Sequence, residues 1–124
     1  MAKMAHQVAI GSFLNLEALI KHLKNSQRDV VLFCAGWKDR INLEDSLFAG
    51  AVAASYPVRD CDDATLMARD AFELAKDNIF ETLQNSNHFK RLASKGVTKD
   101  IAYCCEVNVL HIVPVLQEGK LVIA

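Results

Sequence analysis

The sequence lacks an excess of charge of either sign. Its 124 residues carry 14 Lys and Arg against 15 Asp and Glu, a formal net charge of −1. Nucleic acids and anionic membranes are bound by clustered positive charge, so we expect neither as a partner. No apolar run approaches the ~20 residues of a membrane-spanning helix, and the first residues lack the apolar stretch of a secretory signal.

Cysteine and histidine are present without the spacing of a disulfide framework or a zinc site. The cysteines are Cys34, Cys61, Cys104 and Cys105, and the histidines are His6, His22, His88 and His111. We therefore expect reduced thiols in a cytoplasmic protein, and histidines that lie at the surface or in the core. The glycine-rich loops that bind nucleotides, Gly-x-x-x-x-Gly-Lys-Ser/Thr and Gly-x-Gly-x-x-Gly, are also absent.

Apolar residues are abundant enough for one folded domain over residues 1–124. They make up 52% of the sequence, and charged residues make up 23%. Hydrophobic periodicity predicts strands at 8–10, 30–35, 109–115 and 120–124 and helices at 16–25, 43–55, 63–84, 88–95 and 98–106. This order predicts the α/β class, with a mainly parallel sheet flanked by helices. The first strands lack an obvious set of partners, so we expect this chain to be part of a larger fold of two halves.

Punctuating residues mark several ends of these elements. Asn15 is a candidate N-cap for the first helix, and Gly36 ends the apolar run 30–35. Glu118-Gly119 predicts a tight turn between the last two strands. Small residues crowd 49–54, which indicates a helix packed very closely against a neighbour.

The residues with most chemical potential lie between Cys34 and Asp45, where a predicted strand leads into a helix. Ligands of α/β proteins collect at such places, and a helix N-terminus there suits a phosphate. We therefore predict that Gly36, Lys38 and Arg40 bind substrate phosphate, with Arg40 as a bidentate clamp. Glu44 and Asp45 would repel a phosphate unless a cation lay between them, which predicts a Mg²⁺ site on this pair.

Other interpretations of this segment remain open. Acidic residues are favoured in the first turn of any helix, and Asn42 with Asp45 nearly matches a capping box. Cys34 and Arg40 have the Cys-x5-Arg spacing of cysteine-dependent phosphatases, although Ile41 and Asn42 replace the usual Ser or Thr. Acidic neighbours also oppose a thiolate there, so we expect Cys34 to be a small apolar core residue.

Two further features near this segment are ambiguous. Asp60, Asp62 and Asp63 form an acidic cluster, and we expect N-capping from it before metal binding. Trp37 could cover a ligand or plug the sheet edge.

Several short motifs together resemble the 2-phosphosulfolactate phosphatase family. The motifs are Leu32-Phe33-Cys34-Ala35-Gly36, Leu43-Glu44-Asp45, Ala49-Gly50-Ala51, Asp62-Asp63-Ala64, Asn87-His88-Phe89, Lys99-Asp100-Ile101 and Val113-Pro114. They cover nearly the whole chain. Members of that family are about twice as long, so the resemblance implies that this chain is the C-terminal portion of a longer phosphatase.

The resemblance implies a Mg²⁺-dependent acid phosphatase. Its substrate would be a small phosphorylated organic acid, 2-phosphosulfolactate, converted to sulfolactate on the route to coenzyme M. We expect water, and not Cys34, to attack phosphorus. The alternatives are a Cys34-dependent phosphatase and a non-catalytic interaction fragment. We also expect the chain to form a homo-oligomer through apolar surface that its other half would cover.

Overall fold

The computed structural model describes residues 5–56 and 61–124. These residues divide into two compact units, one holding the described residues up to Arg28 with Glu106–Ala124, and the other holding Asp29–Cys105. The helices are α1 (Leu16–Ser26), α2 (Leu43–Ser55), α3 (Asp63–Ala75), α4 (Ile79–Gln84), α5 (Asn87–Ala93) and α6 (Thr98–Cys104), and the strands are β1 (Pro114–Gln117) and β2 (Lys120–Ile123). The single domain over the whole chain stays a prediction.

The first unit combines α1 with an antiparallel hairpin. Strands β1 and β2 pair from Pro114↔Ile123 to Gln117↔Lys120. Glu118 and Gly119 both have positive φ, as the predicted tight turn requires. The predicted strand at 8–10 is reduced to one bridge, in which Ala9 pairs antiparallel with Val115. The first strand of the hairpin begins at Pro114 and not at the predicted residue 109, and the predicted turn is confirmed.

Two asparagines connect the start of α1 to the rest of the first unit. The Asn15 side chain is buried, accepts a hydrogen bond from the Ser12 N–H at 2.8 Å, and donates to the carbonyl oxygen of Ile112 at 2.9 Å. Asn15 precedes α1 but makes no side-chain cap bond to it. Asn108 Oδ1 instead accepts the Glu17 N–H at 2.7 Å. A residue distant in sequence thus satisfies a backbone donor in the first turn of α1.

The second unit is built around the crossing of α2 and α3. Asn42 caps α2, and its Oδ1 accepts the N–H of Glu44 at 3.1 Å. Gly50 lies so close to α3 that an added Cβ would overlap the Ala68 carbonyl oxygen and come within 2.7 Å of Phe72 Cβ. The small residues of α2 therefore permit close contact between the two helices, as predicted.

The helix predicted over 63–84 is wrong in length. It is two helices, α3 and α4, because Asn78 takes the non-helical angles φ −146°, ψ 53°. Met67 and Leu74, two apolar residues at helical spacing in this segment, are 73% and 92% exposed. The face that contacts α2 includes Ala68 and Phe72, one residue further along the helix. Periodicity alone did not fix which of two adjacent stripes faces α2.

The apolar run 30–35 forms neither a helix nor a strand. Val31 and Phe33 are 80% and 66% exposed, so the strand predicted at 30–35 is not observed. An inner strand is held by backbone hydrogen bonds from neighbouring strands, and no strand among the described residues pairs with this run. The mainly parallel sheet stays a prediction.

The remaining elements agree with the predictions within a few residues. Helix α5 ends at Ala93 and is followed by Gly96 at φ +77°, close to the predicted end at 95. Helix α6 begins at Thr98, as predicted, and ends at Cys104, two residues before the predicted end. Among the described residues, no helix is both long enough and apolar enough to cross a membrane.

Candidate functional site

The segment between Gly36 and Arg40 is a tight backbone turn. The Trp37 N–H donates to the Arg40 carbonyl at 3.0 Å, and the Arg40 N–H donates back to the Trp37 carbonyl at 3.1 Å. Lys38 and Asp39 occupy the two central positions with φ of 49° and 58°. This geometry leaves the side chains of Lys38 and Arg40 exposed at one end of the unit, while the backbone groups of Trp37 and Arg40 bond to each other.

Asp45 fixes the entry to this turn. Its Oδ2 accepts the Gly36 N–H at 2.7 Å, so a carboxylate in the first turn of α2 binds the backbone nine residues earlier. Gly36 has φ +66°, and a Cβ there would lie 2.6 Å from the Arg40 carbonyl oxygen. Both the left-handed backbone and the close contact require glycine at this position. The Gly36 N–H, predicted to face phosphate, is thus bound by Asp45.

Glu44 faces a different set of groups from its neighbour Asp45. Its Oε2 lies 3.7 Å from His88 Nε2, while His88 Nδ1 lies 3.1 Å from Arg91 Nη2. A guanidinium only donates hydrogen bonds, so Nδ1 must accept, and a neutral His88 carries its proton on Nε2, toward Glu44. Helix α5 thereby brings a histidine and an arginine next to the start of α2.

The Arg91 guanidinium also stacks on the indole of Trp37. Its Cζ lies 4.3 Å from the ring centroid, within the range of a cation–π contact. Trp37 is half exposed. The turn, the start of α2 and α5 therefore meet in one group of side chains, which we call the α2–α5 cluster: Trp37, Glu44, Asp45, His88 and Arg91.

Cys34 lies beside this cluster and is poorly suited to act as a nucleophile. Partial burial and the nearby Asp45 carboxylate raise the pKa of the Cys34 thiol, which lowers the thiolate fraction near neutral pH. The residue as a whole is exposed, so its predicted role as a core residue is wrong, and in residues 5–56 and 61–124 no sheet covers the apolar run around it. Burial, with Glu44 and Cys104 nearby, raises the pKa of Cys105 to about 11.

The residues predicted to bind phosphate and metal occupy one end of the second unit. Lys38 and Arg40 are exposed in the turn, and Glu44 and Asp45 occupy the first turn of α2. Their ligand roles stay predictions. The alternative role of Asp45 in a capping box is wrong, because its carboxylate accepts the Gly36 N–H. The Asn42 side chain caps α2 by accepting the N–H of Glu44.

The sequence pattern did not indicate His88 and Arg91 as site residues. Their i, i+3 spacing places them on one face of a helix, and that was the signal present in the sequence. Nothing in the pattern indicated that this face of α5 contacts the turn at Trp37.

The second acidic cluster caps a helix, as expected. Asp62 Oδ1 accepts the Thr65 N–H at 2.8 Å. Hydrogen bonds from the Thr65 side chain and then from this N–H lower the Asp62 pKa. Asp60 lies outside the described residues. Trp37 packs against Arg91, and its two predicted roles stay predictions.

The carboxylates of α2 fit a magnesium ion unequally. Mg²⁺ is usually bound through one or two carboxylates together with waters and substrate phosphate. Glu44 is half-buried, and within the described ranges no Lys or Arg pairs with it. Asp45 already accepts a hydrogen bond from Gly36. Across residues 5–56 and 61–124, no group of three or more His, Cys, Asp and Glu side chains is arranged to hold a metal ion. Glu44 is the better candidate ligand of the two.

Sequence comparison places the chain within a family of phosphatases. A family model described as 2-phosphosulpholactate phosphatase matches residues 1–119. The chain therefore belongs to the 2-phosphosulfolactate phosphatase family, which confirms the resemblance carried by its motifs.

Similar proteins from several bacteria support this membership. A probable 2-phosphosulfolactate phosphatase of Thermotoga petrophila is 36% identical over 119 residues, which cover 96% of this chain and 52% of that protein. The Thermotoga maritima protein of the same description is 35% identical, with the same coverage of 96% and 52%. That of Carboxydothermus hydrogenoformans is 35% identical over 125 residues, covering 98% and 52%. The chain spans about half the length of the curated relatives it matches.

Proposed function

We propose that the chain forms part of a magnesium-dependent phosphatase that hydrolyses a small phosphate monoester. The observation that carries this proposal is the family match over residues 1–119. The relatives are named for 2-phosphosulfolactate, so we propose that substrate, with sulfolactate as the product, on the route to coenzyme M. Because the relatives are about twice as long, the proposed active site also includes residues from a second half like theirs.

The positions of charged side chains support a division of roles within the α2–α5 cluster and its turn. Lys38 and Arg40 are exposed cations in the turn, suited to phosphate oxygens. Asp45 holds the turn through Gly36. Glu44 would hold Mg²⁺, which supplies positive charge to the phosphate oxygens when bound. A water attacks phosphorus, the bond from phosphorus to the ester oxygen breaks, and the alcohol leaves with a proton derived from that water.

A cysteine mechanism is disfavoured by the environment of Cys34. The raised pKa leaves little thiolate, and the thiol contacts the Asp45 carbonyl oxygen at 3.5 Å. In an active enzyme containing this chain, Cys34→Ser should retain activity within about tenfold, because the exposed thiol is not the proposed nucleophile and a hydroxyl can replace its contact with the Asp45 carbonyl oxygen. Loss of turnover with an intact fold, together with a trapped phosphocysteine, would favour the alternative.

The proposal is tested with a chimera in which this chain replaces the matched half of the Thermotoga maritima relative. Phosphate release from 2-phosphosulfolactate is measured with Mg²⁺ and after chelation, beside the intact relative. We expect metal-dependent release from the chimera. A chimera that unfolds cooperatively but releases no phosphate, beside an active relative, would overturn the proposal.

A further inference from the structure

Arg91 is held in one position by two different contacts. Its guanidinium stacks on Trp37 at 4.3 Å from the ring centroid, and its Nη2 donates to His88 Nδ1 at 3.1 Å. A long arginine side chain normally samples many rotamers, and each of these contacts restricts that freedom. The guanidinium is therefore preorganised, with its position set by the turn on one side and by its own helix on the other.

The charge of Arg91 is not balanced by a carboxylate in the described part of the chain. The ion pairs formed there join Arg69 to Asp70, Lys76 to Glu73 and His88 to Glu44. Arg91 and Arg69 are both half-buried, but Arg69 is paired with a carboxylate and Arg91 is not. A guanidinium has five N–H donors, and within residues 5–56 and 61–124 its hydrogen bonding is limited to His88. A fixed and partly desolvated cation of this kind is suited to binding an external anion.

The side chains around Arg91 carry both signs of charge. Its stacking partner Trp37 opens the turn that carries Lys38 and Arg40, with Asp39 between them, and Glu44 and Asp45 stand in the first turn of α2. Because those two carboxylates would repel a phosphate unless a cation lay between them, phosphate binding at Arg91 is expected with Mg²⁺ present. The planar edge of a guanidinium matches two oxygens of a phosphoryl group, which a lysine cannot match with its single ammonium.

We propose that Arg91 is a phosphate-binding residue of the α2–α5 cluster, positioned by Trp37 and His88 to present its unpaired N–H groups to phosphoryl oxygens. The inference rests on the proposed function for the identity of the anion as a phosphate ester. The binding role itself is separable from turnover, because inorganic phosphate is a sufficient probe.

The test measures the binding of inorganic phosphate to the 124-residue chain at low ionic strength with Mg²⁺ present. Trp37 is the single tryptophan of the sequence, so its emission reports directly on the ring that Arg91 covers. Calorimetry gives the dissociation constant independently. We expect phosphate to change the Trp37 emission, and we expect Arg91→Gln to abolish that change and to weaken binding by at least about tenfold, since a charge-assisted bidentate contact is lost.

Two further variants separate specific binding from general charge. Arg91→Lys retains the charge without the planar fork, so its affinity should fall between those of the wild type and Arg91→Gln. Lys90→Gln removes the same charge from an exposed position on the same helix and should change affinity by less than about twofold. Unfolding midpoints are measured for each variant, and Arg91→Lys decides the question if Arg91→Gln does not fold.

Three results would overturn the inference: no phosphate binding by the wild type, unchanged binding by the Arg91 variants, or an equal loss in Lys90→Gln. The proposed function fails separately. Phosphate binding that depends on Arg91, beside a folded chimera that releases no phosphate, would retain this inference and reject the phosphatase. An active chimera, together with unchanged phosphate affinity in Arg91→Gln, would retain the proposed phosphatase and reject the phosphate-binding role of Arg91.

Discussion

Glu44 and Asp45 are adjacent in sequence, yet their carboxylates have different partners. Asp45 accepts a backbone hydrogen bond from Gly36 at 2.7 Å, whereas Glu44 lies 3.7 Å from His88. Consecutive helical residues point about 100° apart, so one residue can order the turn while the other faces α5. The pair predicted as a joint metal site therefore has at least one structural role.

This difference predicts unequal effects on stability. Asp45→Asn weakens a charge-assisted hydrogen bond to a partly buried N–H and should lower the free energy of unfolding by about 1–2 kcal/mol. Glu44→Gln removes a half-exposed charge next to a histidine and should change it by less than about 0.5 kcal/mol. Urea unfolding without added metal measures both. Equal effects of the two substitutions would contradict the separate roles.

At the scale of elements, the crossing of α2 and α3 depends on the absence of a side chain at Gly50. An alanine there would place its Cβ against the Ala68 carbonyl and Phe72 Cβ. The helices would have to separate, because backbone atoms cannot move aside as a flexible side chain does.

We predict that Gly50→Ala lowers the free energy of unfolding by about 1–3 kcal/mol, despite the higher helix propensity of alanine. The matched control is Ala54→Ser, at an exposed position of the same helix, which should stay within about 0.5 kcal/mol. Denaturant unfolding with circular dichroism compares them. A Gly50→Ala variant as stable as the wild type would show that the helices do not approach this closely.

The N-terminus of α3 gives a pH-dependent prediction. Accepting hydrogen bonds from Thr65 lowers the Asp62 pKa below its ordinary 3.8 in the folded chain. A carboxyl with a lowered pKa contributes stability above its unfolded pKa and loses that contribution as pH falls through its folded pKa. Asp62→Ala should therefore melt below the wild type at pH 7, and the difference should shrink below about pH 4.

Melting temperatures measured from pH 7 to about pH 3 test this cap. Asp62→Asn retains an acceptor without a titrating group, so its difference from Asp62→Ala should stay nearly constant over the same range. If the difference in melting temperature between the wild type and Asp62→Ala grew as the pH fell, its sign would be opposite to the expected one. That result would contradict Asp62 as the cap of α3.

Local sequence patterns predicted most of the helices, whereas most of the features that depend on tertiary contacts were not predicted. Asn42 and the small residues after Ala49 predicted both the cap and the close packing of α2, since these signals act within one helix or its immediate contact. The break before α4 and the stripe of α3 that faces α2 depend on packing that one sequence does not specify. Run 30–35 shows the same limit, because a strand requires a neighbour.

The candidate site was predictable only where it is continuous in sequence. The turn at Gly36–Arg40 and the carboxylates of α2 lie within ten residues of one another in the sequence. The motifs that carry the family resemblance include Gly36, Glu44 and Asp45. His88 and Arg91 join the cluster through the packing of α5, about fifty residues away in sequence. Their i, i+3 spacing was visible in the sequence, but the contact between Arg91 and Trp37 was not.

At the scale of the whole molecule, exposed apolar side chains predict self-association. Val31, Phe33 and Ile41 are 80%, 66% and 92% exposed, on either side of the turn. Exposed apolar surface and unpaired extended backbone both promote pairing. We predict association at concentrations of roughly tens of micromolar, weakened by the double substitution Val31→Thr and Phe33→Ser. Sedimentation showing a compact monomer there would contradict the proposed homo-oligomer.

The most direct measurement of the central claim is phosphate release from 2-phosphosulfolactate as a function of Mg²⁺ concentration. It compares the chimera with its Glu44→Gln and Asp45→Asn variants, with unfolding measured in parallel. If Glu44 binds the metal and Asp45 holds the turn, Glu44→Gln lowers the rate by orders of magnitude without loss of stability. Alternatively, the rate of this variant recovers only at much higher Mg²⁺ concentration. Asp45→Asn then loses stability while its Mg²⁺ dependence stays close to that of the parent chimera. A near-normal rate and unaltered Mg²⁺ dependence in Glu44→Gln would contradict the metal role of Glu44.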